Sequence, residues 1–253
     1  MMCNDIADPG ILNFTYKGYF KLLDLLKNKG YFLTRFCETR EIAGPRVILR
    51  HDIDISPREA LKMAKLEHAR DEHATYFVML SSSFYNLLNR ENEDSILHIA
   101  ALGHEVGLHF DVTKYRDISD TELEQAILRE ISLLSHIMGT QIKSLSWHIP
   151  REDMIGRHLD FLERENILNA YDPEFFTEYK YCSDSMMRWR DPLTQYIDCT
   201  IYPKLQVLTH PIWYSDTEKQ QNVAILKSVF REKNAEIITY LERCCPGIQN
   251  SLA

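Results

Sequence analysis

Apolar and polar positions along the chain switch between a helical period and a strand period. From Tyr16 to Asn28, the residues Tyr19, Leu22, Leu23 and Leu26 fall on one helical stripe, and Gly30 marks its stop. A short strand is predicted over 31–36. The β-branched run Val47-Ile48-Leu49 then opens a buried strand that continues into Arg50-His51-Asp52-Ile53-Asp54. Ser56-Pro57-Arg58-Glu59 predicts a helix start, with Ser56 as N-cap, Pro57 at the first helical position and Glu59 closing a capping box. The core face of that helix takes Ala60, Met63 and Ala64, with contacts through Leu66. A buried strand over 74–80, a helical stretch over 96–100 ending before Gly103, and a short strand over 105–109 follow. Ser119 and Glu122 form another capping box, opening a helix that carries Leu123, Ile127, Ile131, Leu134 and Met138 and stops at Gly139. Strands are predicted over 143–148 and 205–210, with a less regular section over 150–203 that is rich in aromatics and acids. A long helix runs from Asp216 onward.

Strands alternating with helices imply a parallel sheet with right-handed crossovers. No internal repeat, low-complexity tract or Gly/Ser-rich linker divides the chain, so residues 1–253 read as one α/β domain. A 45% hydrophobic composition is ample for its core. The formal charge of -8 and the lack of a basic run argue against nucleic acid as a partner. No segment approaches the roughly 20 apolar residues of a membrane span, so no membrane partner is expected. Cys3, Cys37, Cys182, Cys199, Cys244 and Cys245 form no Cys-x-x-Cys pair, and Met1-Met2-Cys3-Asn4-Asp5 has neither a basic region nor an apolar run. The expectation is a cytoplasmic protein with reduced thiols and no signal peptide.

Candidate chemistry collects at the ends of strands. Side chains alternate along a strand, so Asp52 and Asp54 point one way and His51 the other. Two carboxylates on one face repel each other, and a metal or a shared proton usually meets that cost. Helix capping is the plainer role for the pair. Three more strands end in histidine: Gly107-Leu108-His109, Ser146-Trp147-His148 and Thr209-His210. In a parallel sheet or barrel the carboxyl ends share one rim, so these groups can converge. One carboxylate and two imidazoles suit zinc or a similar ion and leave a position open for water.

His51-Asp52-Ile53-Asp54, Gly103-His104-Glu105-Val106-Gly107-Leu108-His109-Phe110-Asp111 and Leu208-Thr209-His210-Pro211 resemble the first, second and last motifs of the polysaccharide deacetylase superfamily, the family-four carbohydrate esterases. The resemblance covers about residues 47–214. It implies an irregular (β/α) barrel of about seven parallel strands and a divalent metal, Zn2+ first, that serves removal of an N- or O-acyl group from a sugar. Position by position it implies Asp52 as general base, Asp54 and His109 as metal ligands, and His210 as the group that assists departure of the amine. Two positions differ from the family pattern. Thr113 stands where the family has its second histidine, and Ser146-Trp147-His148-Ile149-Pro150 occupies the place of the third-motif arginine. His148 is the preferred third ligand because it ends a strand, with His104 and Asp111 as alternatives.

Substrate contacts are expected within 150–203, where Asp184, Trp189 and Arg190 place a carboxylate, an aromatic plate and a guanidinium close together. A packed aromatic loop with a surface ion pair is the plainer account of that stretch. The expected function is a metal-dependent amidohydrolase that removes an acetyl or formyl group from a small soluble amino sugar, with a homo-oligomer possible in principle. The rivals are a non-catalytic carbohydrate-binding protein on the same fold and another metal hydrolase acting on cyclic amides or phosphoesters. His51-Asp52 is also similar to the dipeptide of a metal phosphohydrolase family. There the pair sits in a helical core, whereas here it closes a strand.

Overall fold

A computed structural model describes residues 10–115, 117–218 and 221–245. Cys3 and the N-terminal stretch around it lie outside the described residues. The chain begins with α1 (Tyr16–Asn28), capped by the Thr15 hydroxyl, and β1 (Phe32–Thr34). The central strand β2 (Arg46–Ile53) leads into α2 (Pro57–His68), followed by β3 (Thr75–Val78), α3 (Arg90–Ala101) and β4 (Glu105–Asp111). Next come α4 (Asp120–Met138), β5 (Ser144–His148), α5 (Asp160–Arg164) and β6 (Leu168–Asn169). The chain then forms β7 (Lys180–Ser183), α6 (Leu193–Asp198), β8 (Lys204–Thr209) and α7 (Asn222–Cys244).

The eight strands form one parallel sheet in the order β6-β5-β4-β3-β2-β8-β7, with β1 added on β2. The path therefore holds the seven strands expected, and β1 is the eighth. β2 is the hub. One of its edges is taken by β8 from Arg46↔Lys204 to His51↔Thr209. Its other edge is shared, with β1 against residues 46–48 and β3 against residues 50–53. The sheet curls into an incomplete barrel whose ends are β6 and β7. The Gln206 amide reaches across that seam, donating to the carbonyls of Ala170 and Phe175.

Alternation along β2 decides which chemistry goes inside. Arg50 and Asp52 face the barrel interior, where Arg50 stacks over Tyr171 and Phe77. His51 turns outward to Glu67 on α2. Gly107 is required on β4 because a Cβ there would stand 2.5 Å from both Phe77 and the Ser144 hydroxyl. The missing Cβ leaves room for the Phe77 ring from β3 and the Ser144 hydroxyl from β5.

Several expectations shift in detail. The capping box at Ser119 and Glu122 is complete, and Gly139 ends α4 with φ 64°. At α2 only half of the box forms: Ser56 accepts from the Glu59 N–H, but the Glu59 carboxylate turns to Lys62. Leu66 is not on the core face of α2. The 60, 63, 64, 67 spacing places Glu67 there instead, fully buried, and leaves Leu66 exposed. The irregular section contains two strands, β6 and β7, and the last helix starts at Asn222 rather than Asp216. No disulfide joins the described cysteines. No helix among the described residues is long and apolar enough to cross a membrane.

Candidate active site

The rim formed by the carboxyl ends of β2, β4, β5 and β8 brings Asp54, His109, His148 and His210 together. Asp54 Oδ1 lies 3.2 Å from His109 Nε2 and 3.5 Å from His148 Nδ1. The two imidazole nitrogens are 3.3 Å apart. One ligand atom from each of Asp54, His109 and His148 fits within a 4.8 Å span, and among the described residues no other such group is found. Asp54 Oδ1 is buried and has no hydrogen-bond partner. A buried carboxylate oxygen facing two imidazole nitrogens calls for positive charge between them, which a protonated ring or a bound cation supplies. The residues present thus fit a divalent metal of the zinc type. Ser146 supports the arrangement from the next strand, its hydroxyl 2.7 Å from His109 Nδ1, which fixes the ring and turns Nε2 inward.

His104 and Asp111, the alternatives for the third position, are occupied elsewhere. His104 is buried just before β4, where its Nδ1 accepts from the Ala74 N–H and its Nε2 donates to the Ala64 carbonyl. Burial holds its pKa below the ordinary value, despite the pull of Glu67. Asp111 caps the turn after β4 by accepting from the Thr113 N–H and hydroxyl.

Asp52 sits below Asp54 on the same face. Arg50 grips it in two parallel bonds, Nε to Oδ1 at 2.9 Å and Nη2 to Oδ2 at 2.8 Å. Burial alone would raise the carboxyl's pKa, but the Arg50 guanidinium and the neighbouring imidazoles outweigh it and hold the group below its ordinary value. Asp52 is therefore a carboxylate at neutral pH, with Oδ2 3.6 Å from His109 Nε2. Arg50 is the site residue that sequence reasoning passed over. It stands two residues before the carboxylate it orients. The available signal was a charged residue directly after the aliphatic run Val47-Ile48-Leu49, on the same face of the strand as Asp52.

His210 closes the rim, with Nε2 3.7 Å from Asp54 Oδ2. Its other nitrogen is held by Asp184 at 2.6 Å, and the Asp184 carboxylate also accepts from the His210 backbone N–H at 3.1 Å. Burial disfavours charge on this imidazole, yet the adjacent Asp184 carboxylate holds its pKa up at about 9. Asp184 itself is fully buried and also bonded to Tyr214. It was expected among the substrate contacts; with no exposed surface it instead holds His210. Trp189 is half-buried against the core and Arg190 is exposed.

No family model matches the chain, and neither does any curated protein. Solved structures do. They include a CE4 family pseudoenzyme from Bacillus anthracis, at 14% identity over 75% of this chain and 60% of that one, with a TM-score of 0.43. A family 4 carbohydrate esterase from Bacillus anthracis aligns at 17% identity over 84% of this chain and 86% of that one, with a TM-score of 0.44. A Streptococcus pyogenes deacetylase in complex with acetate aligns at 12% identity over 83% and 88%, with a TM-score of 0.44. The chain spans 60% of the pseudoenzyme's length. The first two bear the family-four name that the motifs of this chain resemble. Likeness at this level transfers no residue role, so the roles proposed below rest on the geometry of this chain.

Proposed function

We propose that this protein is a metal-dependent N-deacylase acting on an N-acylated amino sugar, with Asp54, His109 and His148 holding the metal. The observation that carries this reading is the unpartnered Asp54 Oδ1 facing His109 Nε2 and His148 Nδ1, with a carboxylate and an imidazolium on either side. When bound, a divalent cation supplies Lewis acidity toward carbonyl and water oxygens.

The protein's own groups handle the protons. Asp52, ionised and aimed by Arg50, accepts a proton from the attacking water; the paired guanidinium uses one lone pair of each oxygen and leaves another on each. His210 carries its proton at neutral pH and donates it from Nε2 to the departing amine, while Asp184 keeps the ring oriented through Nδ1. A carboxylate held below its ordinary pKa beside an imidazole held above its own gives an acceptor and a donor ready in one site. The acyl group and the sugar are assigned through the motif resemblance. Acetyl and formyl differ by one methyl, for which a pocket wall offers roughly 1–3 kcal/mol of discrimination.

The test incubates zinc- or cobalt-loaded protein with N-acetyl and N-formyl amino sugars, free and nucleotide-linked, alongside chitin oligomers, and measures released acetate or formate. Release from small soluble sugars is expected. Cleavage of long chitin chains alone would replace the substrate proposed. A purified protein that takes up no divalent metal would leave a carbohydrate-binding role on the same fold.

A further inference from the structure

A second polar cluster lies behind the site, on the outer face of β2. His51 Nε2 donates to Glu67 Oε1 at 2.9 Å, and His51 Nδ1 shares a 2.6 Å hydrogen bond with the Thr209 hydroxyl. Glu67 also accepts from the Tyr19 hydroxyl at 2.5 Å and the Tyr76 hydroxyl at 2.6 Å. A carboxylate, an imidazole and a hydroxyl in line is the order that activates a nucleophile. Here, however, His51 and Thr209 are each 1% exposed and Glu67 is 0% exposed, so no substrate reaches the hydroxyl. The relay is not a second reaction centre.

Its position gives it a mechanical role instead. Backbone pairing between β2 and β8 ends at His51↔Thr209. The next residue on each strand, Asp52 and His210, belongs to the site. The imidazole–hydroxyl bond therefore lies on the last rung before the strands part. Glu67 anchors that rung to α1 through Tyr19, to β3 through Tyr76 and to its own helix α2. On the inner face, Asp54 Oδ2 and His210 Nε2 are 3.7 Å apart, beyond hydrogen-bond range, so this contact does not hold the spacing.

We propose that His51 is a positioning residue: clamped between Glu67 and Thr209, it sets the separation of the proton acceptor and metal carboxylate on β2 from the proton donor on β8. This rests on the roles given above to Asp52, Asp54 and His210. Thr209→Val keeps the shape of the side chain and removes the hydroxyl, while Thr209→Ser keeps the hydroxyl.

The expected outcome for Thr209→Val is unchanged zinc content, a KM within about twofold, and a kcat lower by roughly tenfold to a hundredfold, as a misplacement near 1 Å costs. Thr209→Ser is expected to restore kcat. A crystal structure of Thr209→Val should show the 3.7 Å gap between His210 Nε2 and Asp54 Oδ2 altered. A purely structural role would lower the melting temperature of Thr209→Val and leave kcat per folded molecule unchanged, which overturns the proposal, as does an unaltered gap. Glu67→Gln, read by the same two measurements, serves if Thr209→Val does not fold. If the wild-type protein hydrolyses no N-acyl amine, the deacylase reading fails, and the crystallographic gap still decides the positioning role.

Discussion

Two clusters on opposite faces of the β2 region share one composition, a carboxylate flanked by two imidazoles. At the rim, Asp54 stands 3.2 Å from His109 and 3.5 Å from His148. Behind it, Glu67 stands 2.9 Å from His51 and 3.7 Å from His104. Their hydrogen-bond states differ. Both Glu67 oxygens accept from tyrosine hydroxyls, and both nitrogens of His51 and of His104 are engaged. At the rim, Asp54 Oδ1 accepts no hydrogen bond, and the two imidazole nitrogens facing it meet only each other, at 3.3 Å. A fully bonded network rigidifies a fold, whereas a buried carboxylate oxygen without a donor can accept a cation. Composition alone does not separate the two clusters; the unpartnered Asp54 Oδ1 does.

The hardest blow to the comparison comes from truncating the rim. Asp54→Ala and His109→Ala are expected to lose the metal and all measurable turnover while the circular dichroism spectrum stays native. Full metal content by atomic spectroscopy in either variant would remove the distinction between the clusters. Next in size is Asp52→Asn, expected to keep the metal and lose about 10²–10⁴-fold in turnover, because the amide cannot accept a proton. Near-normal turnover would move the base elsewhere.

A paired test on the two clusters follows. His148→Ala should weaken zinc binding in a titration, whereas His104→Ala should leave the zinc affinity unchanged and lower the melting temperature. The reverse ranking would exchange their roles. Ser146→Ala removes only the partner of His109 Nδ1, so metal affinity should fall by about 10–100-fold with the fold intact.

The smallest effect is a shift in a pH profile. In the role proposed, His210 acts as the charged form, and its pKa is held at about 9, so turnover should fall as pH rises through that value. Stability follows the same sign. The folded pKa exceeds the unfolded value of roughly 6.5, so the contribution is complete below the latter and disappears as pH climbs through about 9. Asp184→Asn removes the carboxylate that holds the charge and should bring the alkaline limb down toward neutrality. An unmoved limb would assign it to another group.

Elements with local signals were legible in the sequence. The aliphatic run of β2, the Ser56 and Ser119 caps and the Gly139 stop each carry their own physical cause within a few residues. The edge strands β6 and β7 carry no such cause. Leu168–Asn169 is too short for a period, and Lys180–Ser183 lies in an aromatic stretch without clean alternation. Strand-end placement was enough to bring His148 to Asp54 and His109. The partners of the polar groups were harder, because Asp184 meets His210 across 26 residues and Glu67 meets His51 by burial of a residue type that seldom goes inside. Glu67 was hidden in plain view: the stripe of Ala60, Met63 and Ala64 points to it, and only its charge argued otherwise.

The central position of β2 also bears on how the molecule is made. Its neighbour β8 comes late in the chain, and the last rung between them joins residues 158 apart. Closing so long a loop costs chain entropy before any contact rewards it, and sheets built from distant segments form slowly. During synthesis β1 to β7 precede β8, so Asp52 and Asp54 wait with one side of their strand unpaired until residues 204–209 arrive. The arrangement of the rim is thereby tied to a long-range closure, and a polypeptide stopped before β8 would have most of its sheet strands and no His210.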